Sequence, residues 1–332
     1  MAPNRFRDFR LDLWGAALLL PLLAAPLLFE DPFVLSITYQ FAIGVAASLS
    51  VYVMLRMGLL SFTVPAFMAI GGYAAAMLAK GGVTEITALM LASFVVPMIF
   101  AVPLGLLVLK LKGLYFIFIT FIFNEILQLI IFETPKLTGG SDGIVGVPAA
   151  TFLGADLGVP WRQVFATVLI CLVASVIALA ASHRYRAEFT SIEENETLAE
   201  SLGVAVWKYR MIGYIVSAGV AGLSGFALVN MLGTAHPSSF ASWSVNNYIA
   251  YVFVGGRGTV LGVVLGSYLL IYMTNVFSAY AHLSAGLFGV LLIAVMMAAP
   301  GGVVGAAVKL LNGLRAGRGG APGQATAAGG AR

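Results

Sequence analysis

Charge is scarce in this sequence. Asp, Glu, Lys and Arg make up 10% of its 332 residues, against about 25% in a soluble domain. Hydrophobic residues reach 60% and the mean hydropathy is +0.98. That leaves too little polar side chain to coat a globule of this size, which excludes a soluble fold. The single cysteine, Cys171, excludes an internal disulfide; it lies in an apolar run and says nothing of redox compartment. The histidines His183, His236 and His282 are scattered, with no metal-ligand spacing and no Ser/His/Asp or Cys/His set. No GxxxxGK[ST] run is present, so the chain does not itself hold ATP in a P-loop. Catalysis, a metal, a cofactor and a nucleic-acid partner are therefore not expected.

What is present is a series of continuous apolar runs at 13–29, 33–55, 58–79, 86–109, 114–132, 163–182, 211–233, 246–256, 259–279 and 285–304. Most have the roughly 20 residues that cross a hydrocarbon core. They lack the alternation of a membrane β-barrel. The expected fold is all-α: a polytopic transmembrane helical bundle of about ten membrane segments in contact with lipid. The run at 246–256 is too short to span alone and reads as a short or broken helix. The first run follows Arg5, Arg7 and Arg10, but it is long, holds Pro21 and Pro26 and lacks a clear cleavage site. It reads as a retained helix rather than a secretory signal.

Basic residues set the orientation. With the N-terminus inside, the inner side receives Arg5, Arg7, Arg10, Arg56, Lys110, Lys112, Arg184, Arg186, Lys208, Arg210, Arg257, Lys309, Arg315, Arg318 and Arg332. The outer side receives only Lys80, Lys136 and Arg162. The bias collapses unless 246–256 crosses, so both termini are expected in the cytoplasm. The chain then divides into a cytoplasmic segment (1–12), a transmembrane region (13–311) and a disordered basic tail (312–332). The transmembrane region carries an external loop at 133–160 and a cytosolic loop at 183–210.

Three constellations stand out. The cytosolic loop holds SIEENETLAESLG (191–203), a compact acidic island in an apolar chain. Ser191 and Glu194 have capping-box spacing, which starts a helix at Ile192, and Gly203 ends it. At 100° per residue Ile192, Leu198, Ala199 and Leu202 form an apolar stripe, beside Glu193, Glu196 and Glu200. Two readings stand open: a surface helix on the chain's own inner face, or a docking helix for a cytosolic partner. Second, Asn124, Glu125 and Gln128 place polar groups on one side of the run 114–132, near its centre. An intramembrane carboxylate faces a bundle interior or a watery path, so Glu125 either touches a translocation path or joins two helices. Third, Gly258, Gly262 and Gly266 recur every four residues, and Gly222 follows Ala218, the spacing of close helix packing. Arg56-Met57-Gly58 and Arg257-Gly258 both precede Gly-rich runs, by internal duplication or by coincidence.

Four stretches, in order, give the chain a likeness. GLLSFTVPAFMAIGGYAAA (58–76) resembles GxLSxGxAxFxxIGAY. NEILQL with LTGGSDGIVGVP (124–129, 137–148) is similar to GEIL followed by LTGGxxGI. EENETLAESLGVAVWKYR (193–210) resembles a cytosolic EDExxAExLGI loop, and VGGRGTVLGVVLG (254–266) resembles VGGxGTxxGPxxGA. Together they resemble the LivM family, membrane permeases of branched-chain amino acid ABC importers. The likeness covers about residues 33–305. It implies a permease in the bacterial inner membrane, partnered by a homologous second permease, two cytosolic ATPase subunits and a periplasmic substrate-binding protein. The loop carrying Ile192, Glu193, Glu194, Glu196, Leu198, Ala199, Glu200, Leu202 and Gly203 is then the helix that couples to the ATPase. Departures from the family pattern fall at Thr190 and Glu193, where basic residues are common, at Gln128, often Arg, and at Thr63-Val64-Pro65. The acidic start of the loop implies an unusually basic ATPase surface. The alternative is a self-contained secondary transporter or channel, which needs coupling-ion sites beyond Glu125.

Overall fold

The computed structural model describes residues 31–278, 284–298 and 301–305, with Asp12, Trp14, Gly15, Ala17, Leu18, Leu19, Pro21 and Leu22 of the N-terminal stretch. The expected tail at 312–332 and most of the first apolar run lie outside the described residues. The chain is mainly helical, and it is a multi-pass membrane protein: six helices are long and apolar enough to cross a bilayer. These are α1 (Pro32–Leu55), α3 (Ile86–Val108), α4 (Leu114–Glu133), α5 (Pro160–Arg184), α8 (Val206–Leu232) and α10 (Val260–Ser278, apolar to Phe277). Shorter helices stand between them: α2 (Val64–Lys80), α6 (Arg186–Glu194), α7 (Glu196–Ser201), α9 (Val245–Gly255) and α11 (Ser284–Ala298). Each apolar run from 33 onward thus coincides with a helix, while ten crossings and the side on which the termini lie remain expectations.

Helix α8 forms the centre and packs against α1, α2, α3 and α5. Glycine makes this possible. A Cβ on Gly225 would stand 1.9 Å from the Met68 carbonyl oxygen of α2, and one on Gly222 would stand 2.0 Å from that of Ser93 on α3. Backbones approach here as no side chain would allow. Apolar burial offers little between helices surrounded by lipid tails, so close packing and buried hydrogen bonds hold the centre. Ser50 of α1 and Ser217 of α8 donate to each other's carbonyl, at 2.9 and 3.0 Å.

A second seam joins α9 to α10. Cβ atoms on Gly262 and Gly266 would strike the carbonyls of Gly256 and Tyr251 at 2.5 and 2.1 Å. Gly258 does not belong to this seam: it lies in the turn and meets open space. Gly255 takes the third place, its Cβ position 1.8 Å from the Gly262 oxygen. The four-residue register fails at Gly258 because the helix begins only at Val260. The expected short helix at 246–256 is observed as α9, ended by Gly256 at φ +115°.

The two ends of α8 gather different pieces. Near Leu232, β1 (Ile144–Val145) pairs antiparallel with β4 (Thr234–Ala235), and β2 (Thr151–Phe152) forms a hairpin with β3 (Ala155–Asp156). The stretch 133–160 thus lies on one end. Near Val206 stand α6, α7 and the residues Arg56, Lys112 and Arg257. Two sets that the charge count assigns to opposite sides occupy opposite ends.

Candidate functional site

The acidic island does not form one helix. Helix α6 begins at Arg186, because Phe189 and Ile192 insert into the chain's interior and hold the segment helical before Ser191. The Ser191 hydroxyl bonds back to the Glu188 carbonyl at 2.9 Å rather than capping. Asn195, extended at φ −160° and ψ 106°, breaks the run, and its Oδ1 accepts the Leu198 N–H at 3.0 Å as the N-cap of α7. Asn195 supplies a cap four residues after the expected one, and that accounts for the break. Gly203 ends α7 as expected: at φ +86° it gives its N–H to Glu200, and Val204 gives its own to Ala199.

Because of the break, the expected stripe divides. Ile192 and Ala199 are buried together with Val206. Leu198 and Leu202 are 57% and 75% exposed, with Trp207 nearby in sequence at 48%. The glutamates divide as well. Glu194 and Glu200 are exposed. Glu196 is not part of an exposed rim: its side chain is 19% exposed and it pairs with Arg210 at 2.9 Å and Lys112 at 3.1 Å. Glu193 meets Arg257 at 3.6 Å. Arg56 donates to Thr190 at 3.4 Å, so the two arginines of the weak repeat both reach α6. Sequence reasoning missed these cations. Nothing periodic links Glu196 to Arg210 fourteen positions on, and only the turn at 202–205 brings them together.

At the same end, Asp12 is 4% exposed. Its Oδ1 accepts the Val260 N–H at 2.7 Å, and its Oδ2 faces His183 Nε2 at 3.1 Å. Burial raises the Asp12 carboxyl above its ordinary value, while the Val260 N–H and His183 pull the other way.

The polar set of α4 does not share one side. Asn124 is fully buried, Glu125 is exposed and Gln128 is half-buried, donating to the Phe240 carbonyl. Helix α4 shows most of its surface outward, with Phe118, Ile122, Ile126 and Leu129 exposed around Glu125. Two stretches without α-helix flank it. Residues 59–63 run unwound before α2, and the Phe62 N–H is bonded by Thr120 Oγ1 of α4 at 3.2 Å. Residues 237–244 form short turns of 3-10 helix before α9, and Phe240 receives the Gln128 amide. Irregular backbone of this kind persists in a membrane only where protein or a water cavity covers it. Beyond it, a cavity of about 240 Å³ lies among α1, α9 and α10. Gln40, Asn247, Tyr248 and Tyr251 supply uncharged polar groups to it, with Ile43 and Ile271 on its apolar side.

A family model described as branched-chain amino acid transport system / permease component matches residues 33–300. The high-affinity branched-chain amino acid transport system permease protein LivM of Salmonella typhimurium is 26% identical over 226 residues, 60% of this chain and 53% of the relative. The autoinducer 2 import system permease protein LsrC of Salmonella typhi is 28% identical over 139 residues, 40% of this chain and 38% of the relative. The probable branched-chain amino acid transport permease protein LivH of Methanocaldococcus jannaschii is 25% identical over 186 residues, 51% of this chain and 58% of the relative. The chain spans about half the length of the LivM proteins it matches. No solved structure matches it.

Proposed function

Since the chain belongs to the family of branched-chain amino acid transport permease components, a family of transporter subunits and not of catalytic enzymes, we propose that it is one permease of an ATP-binding-cassette importer. The cargo is a small polar solute, in the first place a branched-chain amino acid, moved across the bacterial inner membrane. Two cytosolic ATPases drive it, a periplasmic binding protein delivers the solute, and a homologous second permease completes the path.

Exposure of Glu125 on α4 is the observation that supports this most. A carboxylate near the middle of a 20-residue membrane helix costs about 3 kcal/mol against lipid. Its outward face therefore belongs against protein or a wet path. A second permease supplies the missing wall. Each chain contributes α4 and the unwound stretches at 59–63 and 237–244, whose backbone groups can exchange partners as the path opens to one side and then the other. Asn124 faces inward and Gln128 holds the 237–244 stretch, so Glu125 is the member of the trio that meets the path. The seam residues Gly262 and Gly266 keep α9 and α10 together as one unit during that movement.

The α6–α7 pair receives the ATPase. Ile192 and Ala199 attach it to the bundle, and Leu198, Leu202 and the exposed Glu194 and Glu200 present the docking face. Anionic lipid repels such a face, which favours a protein partner with basic groups. Leu198→Asp with Leu202→Asp should abolish co-purification of the ATPase while leaving the chain folded. Retention of the complex and of solute uptake in that variant would eliminate the docking role. A secondary transporter, the alternative, predicts uptake that is indifferent to ATP.

A further inference from the structure

Glu196 stands where three elements meet. Its carboxylate accepts Arg210 Nη1 at 2.9 Å on Oε1 and Arg210 Nη2 at 3.0 Å on Oε2, and Lys112 Nζ lies 3.1 Å from Oε1. The two cations are held very differently. Arg210 is 7% exposed and stands in the first turns of α8, at the centre of the packing. The Lys112 side chain is 66% exposed and lies in the turn that enters α4.

That turn is the loose end of a loosely held helix. Gly113, the residue before α4, has φ +58°, no side chain caps the helix there, and a Cβ on Gly113 would meet nothing within 4 Å. Further along, α4 is tied to distant parts of the chain through Phe62 and Phe240, both in stretches without α-helix, and at its far end Thr138 donates to the Ile131 carbonyl at 2.6 Å. The turn before α4 reaches the coupling helices through its Lys112–Glu196 ion pair. A bidentate guanidinium fixes both position and plane of a carboxylate. An ammonium is a point charge that tolerates rotation and can let go.

From this geometry we propose that Glu196 is the junction between the coupling helices and the path helix, with Arg210 and Lys112 as positioning residues. The proposal rests on the importer reading above. A push on Leu198 and Leu202 displaces α7. Glu196, on the same helix, turns about the Arg210 fork as a pivot and draws or releases Lys112. The start of α4 follows, and with it the face that bears Glu125.

Two measurements test this. In liposomes holding the chain with the subunits that co-purify with it, leucine uptake and ATP turnover are measured together. Lys112→Gln should keep turnover near wild type and cut uptake per ATP by about fivefold, the low end of typical coupling between sites. Lys112→Arg should restore the ratio only in part, because it keeps the charge but replaces a releasable ammonium with a fork. An unchanged ratio in Lys112→Gln overturns the proposal. The Lys112 side chain is 66% exposed, and exposed ion pairs contribute little to stability, so that variant avoids the loss of fold that Arg210→Gln risks. The second measurement needs no partner: a nitroxide on Tyr115→Cys, in a Cys171→Ala background, reports on the start of α4 in nanodiscs. Lys112→Gln and Glu196→Gln should each raise its mobility, and identical spectra overturn the proposal. A wild-type complex without ATP-dependent uptake of any solute defeats the importer reading and leaves this second result to decide the junction.

Discussion

At the scale of single residues, neighbours in sequence have opposite surroundings. Asn124 is enclosed and Glu125 is outward, because one helical step turns 100°. Glu125→Leu should therefore stabilise the isolated chain in lipid by about 3 kcal/mol and lower solute uptake by the complex. Unfolding in bicelles and uptake in liposomes check the two halves. Arg210 behaves in the reverse sense. Removing it leaves Glu196 part-buried with only Lys112, and Arg210→Ala should cost about 3 kcal/mol, seen as an earlier thermal transition. Asp12 gives a pH signature. Its carboxyl is raised by burial above 3.8, so folding favours the protonated form. That contribution is complete below the unfolded value and is lost as pH rises through the raised one. The melting temperature should thus fall more steeply for wild type than for Asp12→Asn as pH rises above the ordinary carboxyl value of 3.8. A constant difference between the two curves would refute the assignment.

At the scale of elements, glycine decides which helices touch. A methyl on Gly225 meets the Met68 carbonyl at 1.9 Å, whereas one on Gly258 meets nothing within 4 Å. Gly225→Val should abolish folded protein, with a penalty of about 3 kcal/mol or more, while Gly258→Ala should express at wild-type level. Size-exclusion profiles of detergent extracts distinguish the two. The coupling element carries the other lesson of this scale. Capping spacing at Ser191 and Glu194 is a local signal, and the burial of Phe189 and Ile192 outweighs it. Asn195 then caps a second, shorter helix, and the hinge between them turns Leu198 and Leu202 outward.

At the scale of the whole molecule, the packing is lopsided. Helix α8 is enclosed on several sides, whereas the outer faces of α3 and α4 are largely bare, with less than a third of their apolar stretches buried. Lipid covers such a surface without difficulty, but a carboxylate within it is out of place. The second permease is accordingly expected on the α4 face rather than on α1 or α5. Cysteine at Ile122, in the Cys171→Ala background, should cross-link to that subunit in native membranes. Cross-linking only from positions on α5 would move the interface elsewhere.

Much was legible in the amino-acid order because hydrophobicity is additive along a chain. The apolar runs from 33 onward became helices, the short run at 246–256 became a short helix, and Gly203 ended its helix. Grouping of Arg56, Lys112, Arg210 and Arg257 at one end and the family motifs were legible in the same way. What tertiary structure decided are the relations between stretches. Glu196 could not be paired from sequence, because Arg210 and Lys112 reach it only through a turn and a packed neighbour. Asn124 and Glu125 differ because, among the described residues, one side of α4 has a neighbour and the other has none. Gly255 replaced Gly258 in the seam since register counts from where a helix starts. A carboxylate's role depends on which charges stand within a few ångströms of it, and that distance is set by the fold.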